Sequence, residues 1–165
     1  MISDTEITGL REAYRAALRS PDPSNQNGAV LLSPSGRLVG IRGWNDIDPA
    51  YKGTVDLHDR DEKLFYIQHA ERAVILRACR LGLSTRYRTL VCPWFACSDC
   101  AKAISWAKIT RVVGHKQRMD LTPDRWKANV AKANQYLRDC GIELEFYDGE
   151  LGCAPIRCNG TLWTP

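Results

Sequence analysis

Three short pieces of the chain hold residue types that could do chemistry together: His69-Ala70-Glu71, Pro93-Trp94-Phe95-Ala96 and Cys97-Ser98-Asp99-Cys100. One imidazole and two thiolates are three good zinc ligands, and zinc favours a tetrahedron of four. A fourth position left to water makes such a site catalytic rather than structural. Two thiolates cancel the charge of the ion, so its water needs a proton acceptor close by. Glu71, two residues beyond His69, is placed to take that proton and pass it on, a transfer that contributes about 10²–10⁴-fold in rate. The chemistry this predicts is hydrolysis by an activated water. Two other readings stay open. A structural zinc knot needs a fourth protein ligand, which Cys92 could supply, and gives Glu71 no part. A thioredoxin-like pair at Cys97 and Cys100 leaves His69 and Glu71 unexplained.

Both ligand groups fall where a helix is predicted to begin. One helix starts near His69-Ala70-Glu71, runs through Arg80 and stops at Gly82; the next starts at Cys97 or Ser98 and extends to about Lys108. Helix N-termini favour thiolates through their dipole and unpaired N–H groups. Upstream, Thr5 to Arg19 has Ile7, Leu10, Tyr14, Ala17 and Leu18 at helical spacing. The proline-containing run Ser20 to Asn25 breaks that helix. Gly28–Leu32 and Arg37–Arg42 read as strands joined by the turn Ser33-Pro34-Ser35-Gly36. Gly43 to Arg60 reads as a long polar loop, a length that is often functional in a compact domain. Further strands are predicted at Arg88–Cys92, Arg111–Gly114 and Ile142–Tyr147. A long helix opens at Thr122-Pro123-Asp124, with Thr122 as N-cap, and ends at Gly141. Residues 151–165 read as an irregular tail. Strands alternating with helices predict an α/β fold, its mostly parallel sheet covered by helices and entered through an antiparallel hairpin.

Composition bounds the rest. A chain of 165 residues suits one domain with a continuous core, and 44% hydrophobic with 25% charged residues is ordinary for a globular protein. No apolar run is long enough to span a membrane as a helix. The early acidic residues Asp4 and Glu6, with no apolar stretch, argue against a signal peptide, so the expected location is the cytoplasm. A net charge of +4 is too small to imply a nucleic-acid partner and suits a small anionic ligand equally well. Seven cysteines are an odd set for a disulfide framework and read as metal ligands or reduced thiols. Cys79 and Cys140 fall within predicted helices and read as core packing. His58, Cys153 and Cys158 could form a second zinc site but read as a surface histidine and tail thiols.

His69-Ala70-Glu71 with Cys97-Ser98-Asp99-Cys100-Ala101 follows the zinc-deaminase order and resembles the cytidine and deoxycytidylate deaminase superfamily. Ser20 to Val30 is similar to the opening of the deoxycytidylate branch, where an Asp-Pro-Ser turn leads into a Gly-Ala-Val strand. Gly43-Trp44-Asn45 resembles that branch's Gly-Tyr-Asn segment, and the long insert before His69 also suits it, phage-encoded members included. The resemblance covers about residues 5–147 of what reads as a single 1–165 deaminase domain. It implies a cytidine deaminase-like three-layer α/β/α sandwich with a central five-stranded mixed sheet. It implies hydrolysis of dCMP to dUMP and ammonia, a zinc-bound hydroxide attacking carbon 4 of cytosine with Glu71 as proton shuttle. A 5-modified dCMP, a free cytosine nucleoside and a base in a polynucleotide are the alternative substrates.

Carried over by position, the resemblance makes His69, Cys97 and Cys100 ligands of one Zn2+ and Glu71 the catalytic residue. Asn45 would hydrogen-bond the sugar or base edge, or else be a turn asparagine bonding its own backbone. The Ala70 N–H would face the pyrimidine. Ala96 departs from the family, which has proline before the first cysteine. Trp94 and Phe95 replace smaller residues there and would stack on the base or reshape the pocket, unless they are ordinary core aromatics. Arg111, His115, Lys116 and Arg118 follow a strand end and could cradle a 5′-phosphate or form a solvated basic face. The resemblance further implies a homo-oligomer and a dCTP or dTTP effector bound with Mg2+.

Overall fold

The computed structural model describes residues 1–165. Ser3 opens α1 (Asp4–Ala17) with a capping box: its hydroxyl accepts the Glu6 N–H while the Glu6 carboxylate accepts the Ser3 N–H. The stripe Leu10, Ala13, Tyr14 and Ala17 of α1 packs on Val30, Leu32, Val91 and Val113 of the sheet. Every residue of β1 (Gly28–Leu32) is buried, because alternate side chains face opposite ways. Its other pair, Ala29 and Leu31, enters a second cluster under α3 (Ala70–Arg80), α4 (Ser98–Trp106) and α6 (Asp124–Asp139). A sheet covered on both faces is the predicted three-layer α/β/α sandwich.

The five-stranded sheet has the order β2-β1-β3-β4-β5, with β2 at Leu38–Trp44, β3 at Thr89–Val91, β4 at Arg111–His115 and β5 at Glu143–Tyr147. β1 pairs antiparallel with both neighbours, while β3–β4 and β4–β5 are parallel. The sheet is therefore evenly mixed rather than mostly parallel. The reason is positional: β2 and β3 run in the same direction, as a helical crossover requires, but the crossover jumps over β1.

Several local readings are corrected. The region between β2 and α3 is not all loop: it holds α2 (Arg60–Tyr66), started by Asp59, whose carboxylate accepts the N–H groups of Asp61 and Glu62. A short α5 (Lys116–Asp120) follows β4 directly. Thr122 does not cap α6; Pro123 holds that position, and the Thr122 hydroxyl donates to Met119 O while accepting from Trp94 Nε1. The tail is not irregular, because β6 (Ile156–Cys158) and β7 (Thr161–Trp163) form an antiparallel hairpin. Its turn is Asn159-Gly160, both at positive φ (54° and 83°), the two-residue hairpin turn that Asn-Gly favours. Cys79 and Cys140 are exposed rather than core, each lying on the outer side of its helix end. No helix is long and apolar enough to cross a membrane.

Candidate active site

His69 is the residue before α3 and Cys97 the residue before α4; neither side chain caps its helix, so both are free to point elsewhere. Cys100 stands in the first turn of α4, as the Cys-x-x-Cys spacing demands. The sheet brings the two helix starts together, and the three ligand atoms lie within 4.8 Å of one another. His69 Nδ1 is 3.5 Å from Cys97 Sγ and 3.6 Å from Cys100 Sγ. A tetrahedral zinc with bonds of about 2.0–2.1 Å to nitrogen and about 2.3 Å to sulfur would separate those atoms by about 3.6 Å. The residues fit the ion. Cys92 stands outside the group, its thiol taken by Asn27 Nδ2 at 3.3 Å and Trp94 O at 3.4 Å. A knot closed by Cys92 is therefore not what this geometry builds.

Charge in the cluster is already divided. A hydrogen bond from the Cys100 thiol takes Cys97 down to about 3, against the effect of burial and with the help of His69. Cys100 is pushed well up by the same bond and by burial. Burial works to lower His69, but the neighbouring Cys97 and Glu71 raise it overall. One thiolate beside an imidazole is a cluster ready to accept a cation. Glu71, only 2% exposed, is pushed up by burial to about 7, although His69 pulls it down.

The start of α3 is held by Asn45. Its Oδ1 accepts the Ala70 N–H at 3.0 Å, and its Nδ2 donates to Asn25 O at 2.9 Å. The Ala70 N–H is thus already spent, which corrects its expected role as a donor to the pyrimidine. Behind it, Gly43 lets α3 approach β2; a Cβ there would lie 2.5 Å from Ala70 O and from Val74 N.

His69, Glu71 and Cys97 open onto a cleft of about 190 Å³. One wall is Trp94-Phe95-Ala96, and a second is the segment with Asp22, Ser24, Asn25 and Asn27, joined by Asn45. His58 with residues of α2 and α6 completes the lining, Arg60, Lys63 and Leu64 from α2 and Arg125, Trp126 and Val130 from α6. Trp94 is fixed at three points: Nε1 donates to Thr122, its carbonyl accepts Asn27 Nδ2 at 2.8 Å, and the Arg118 guanidinium lies 4.4 Å from its ring. Phe95 stacks on Phe146 with centroids 5.4 Å apart, so it belongs to the core as well as to the wall.

The four residues considered for the phosphate are corrected together. Arg111 is engaged by Glu6 and Glu143. His115 is buried, with Nδ1 accepting from the Tyr14 hydroxyl and Nε2 donating to Gly149 O. Lys116 pairs with Asp120 on the surface. Arg118 is fully buried behind Trp94. None of the four lines the cleft. The cations that do line it, Arg60, Lys63 and Arg125, were missed because two of them sit in a segment read as loop or left unassigned. Nothing in the spacing tied either to His69. His58, Cys153 and Cys158 do not gather as a metal group.

The family model described as "Cytidine and deoxycytidylate deaminase zinc-binding region" matches residues 3–116. A probable deoxycytidylate deaminase of Drosophila melanogaster is 34% identical over 110 residues, covering 59% of this chain and 52% of that protein. The deoxycytidylate deaminase of Mus musculus is 30% identical over 107 residues, 61% of this chain and 58% of its own length. The chain thus spans little more than half the length of these curated relatives. The fold matches that of the dCMP deaminase from cyanophage S-TIM5, with a TM-score of 0.69, 18% identity, and coverage of 89% of this chain and 99% of that one. With the family motif standing on the helix starts where the geometry needs it, the chain belongs to the cytidine and deoxycytidylate deaminase zinc-binding family.

Proposed function

We propose that this protein deaminates dCMP to dUMP and ammonia with one zinc ion, held by His69, Cys97 and Cys100, and with Glu71 as the proton carrier. The observation that carries this is the His69–Cys97–Cys100 spacing, which matches a single tetrahedral ion on the floor of an open cleft, with Glu71 beside it. Bound there, zinc supplies a Lewis acid that makes water nucleophilic at neutral pH. Burial disfavours the charged form of the Glu71 carboxylate, which suits a group that takes up and returns a proton during the reaction. It takes one proton from the attacking water and delivers it to the ring nitrogen N3, then takes the second from the hydroxyl on carbon 4 and gives it to the amine, so that ammonia leaves as the carbonyl forms. Trp94 and Phe95 present aromatic wall to the base, and Asn45, which lines the cleft, fixes the metal helix through its amide.

The nucleotide part of the reading rests on the cations of the cleft. Arg60 and Arg125 form no ion pair there, and Lys63 is paired only with Asp22 at 3.3 Å. Cations lining the mouth of a cleft suit a terminal phosphate. The S-TIM5 deaminase, whose fold this chain shares, binds dCMP and dUMP. A homo-oligomer and a dCTP or dTTP effector bound with Mg2+ belong to the same proposal and rest on family membership alone. The test is metal analysis of native protein followed by an ultraviolet assay on dCMP, its 5-methyl and 5-hydroxymethyl forms, deoxycytidine, cytosine and single-stranded DNA. One zinc per chain and turnover of dCMP well above deoxycytidine is the expected result. Equal rates on dCMP and deoxycytidine would remove the phosphate assignment, and absence of zinc would remove the hydrolytic one.

A further inference from the structure

The hairpin β6–β7 and Arg118 lie beyond residue 116, outside the part of the chain that the family model matches. Yet they are bonded to the wall of the cleft. Asn25 Oδ1 accepts two hydrogen bonds, from Arg118 Nη2 and from the Asn159 N–H, both at 3.0 Å. Gln26 exchanges a pair with Arg157: its N–H donates to Arg157 O at 3.0 Å and its Oε1 accepts the Arg157 N–H at 2.9 Å. Ser24 O accepts the Gly160 N–H at 2.9 Å. On its other side the same segment reaches the metal helix, since Asn25 O accepts from Asn45 Nδ2 and Asn45 Oδ1 accepts from the Ala70 N–H.

We propose that the C-terminal hairpin is a positioning element for the reaction, fixing the Ser24–Asn27 wall through Asn25 and Gln26 and, through Asn45, the start of the helix that carries Glu71. The physical argument is one of rigidity. Residues 20–27 have no regular structure apart from a turn at Asp22, so they are held by side-chain and backbone bonds, Asn27 by Trp94 O and the Asn45 N–H, and Ser24, Asn25 and Gln26 by the hairpin and Arg118. A wall that must present fixed groups to a nucleotide needs its own supporting bonds, because small misplacement costs large factors in rate. Arg118 adds a second reason. Its Nε and Nη1 are buried without a partner, so the side-chain Oδ1 of Asn25 and the Trp94 ring are the groups that hold a desolvated cation in place. The same cation thereby joins the two cleft walls.

The inference rests on the proposed nucleotide reading for its kinetic arm only. Gln26 does not line the cleft, so an effect of Gln26→Ala on the reaction must travel through the backbone it holds. In full-length, zinc-loaded protein, Gln26→Ala and Asn25→Ala are expected to raise KM for dCMP at least fivefold while kcat falls by less. Asn25→Asp should restore KM to within about twofold, because a carboxylate accepts the same two bonds and faces Arg118. Independently of any substrate, hydrogen exchange at the Ala70 amide should accelerate at least tenfold in Gln26→Ala, with zinc still at one per chain. An unchanged KM and unchanged Ala70 exchange in a folded Gln26→Ala protein would overturn the proposal, as would failure of Asn25→Asp to recover what Asn25→Ala loses. If wild-type protein turns over no nucleotide, the functional reading fails, while the exchange measurement still decides this one.

Discussion

Behind the site, β2 and α3 meet backbone to backbone, and that contact can be perturbed by one carbon. Gly43 on β2 faces the first turns of α3, and an added Cβ would sit 2.5 Å from Ala70 O, 2.5 Å from Val74 N and 2.9 Å from Val74 Cβ. Ordinary contact begins near 3.4 Å, so Gly43→Ala requires a displacement of about 0.9 Å between strand and helix. Two of the three obstacles are helix backbone, which cannot rotate away as a side chain can. Overpacking of this kind costs about 1–3 kcal/mol, reduced by the ~0.4–1 kcal/mol that replacing glycine recovers from the unfolded chain. At roughly 2–4 °C per kcal/mol for a chain of this size, the thermal midpoint should fall by a few degrees. The kinetic effect should be larger in proportion. Moving α3 moves His69 and Glu71 against Cys97 and Cys100, and a misplacement near 1 Å costs about 10²-fold in rate. The assay pairs thermal unfolding of zinc-loaded protein with steady-state kinetics on dCMP. A Gly43→Ala protein with the wild-type midpoint and a kcat within threefold would refute the claim that this contact sets the site.

Three further outcomes follow from named groups. Glu71→Gln keeps the shape and the three metal ligands, so zinc content should stay at one per chain while turnover drops by about 10²–10⁴-fold; near-normal turnover would assign the proton to another group. Arg60→Ala and Arg125→Ala should each raise KM for dCMP at least tenfold, ~1.5–3 kcal/mol being the scale of one charge-assisted contact, without changing KM for deoxycytidine. Equal effects on both substrates would mean that these arginines do not meet the phosphate. Burial holds His115 below its ordinary value of 6.5, against the opposing pull of Gly149 O and Asp148. The unfolded chain therefore binds a proton that the folded one refuses, so stability is full above about 6.5 and declines as pH falls toward the lowered value. His115→Gln should flatten the thermal midpoint measured between about pH 5 and pH 8; an undiminished slope would place that dependence elsewhere.

Much of the architecture was legible because local signals and burial agreed. β1 is a run of apolar residues that the sheet buries on both faces, and its predicted bounds are those observed. The helix starts at His69 and Cys97 were readable from the ligand spacing and from the stops that follow. The tail hairpin was overlooked although Asn159-Gly160 is a strong turn signal, because its flanking strands are only three residues long, too short to establish a period. α2 was hidden for a different reason. None of its residues is buried, so it carries no apolar periodicity, and only its Asp59 cap and acidic first turn mark it.

By itself, the sequence determined the chemistry available: an imidazole, two thiols and a carboxylate at spacings that place each at the beginning of a helix. Spacing along a chain is a local property, and ligand geometry within one helical turn is local too. Which cations face the cleft, which are consumed in the core, and what holds the wall were decided only by tertiary structure. Arg118 and Arg125 are alike as residues and seven positions apart, yet one is buried behind Trp94 and the other lines the cleft. That difference arises from the packing of α5 and the tail hairpin against segments more than ninety residues away in sequence, as in the bond from Arg118 to Asn25. Such contacts leave no period in the chain, because their partners are chosen by the fold and not by neighbours.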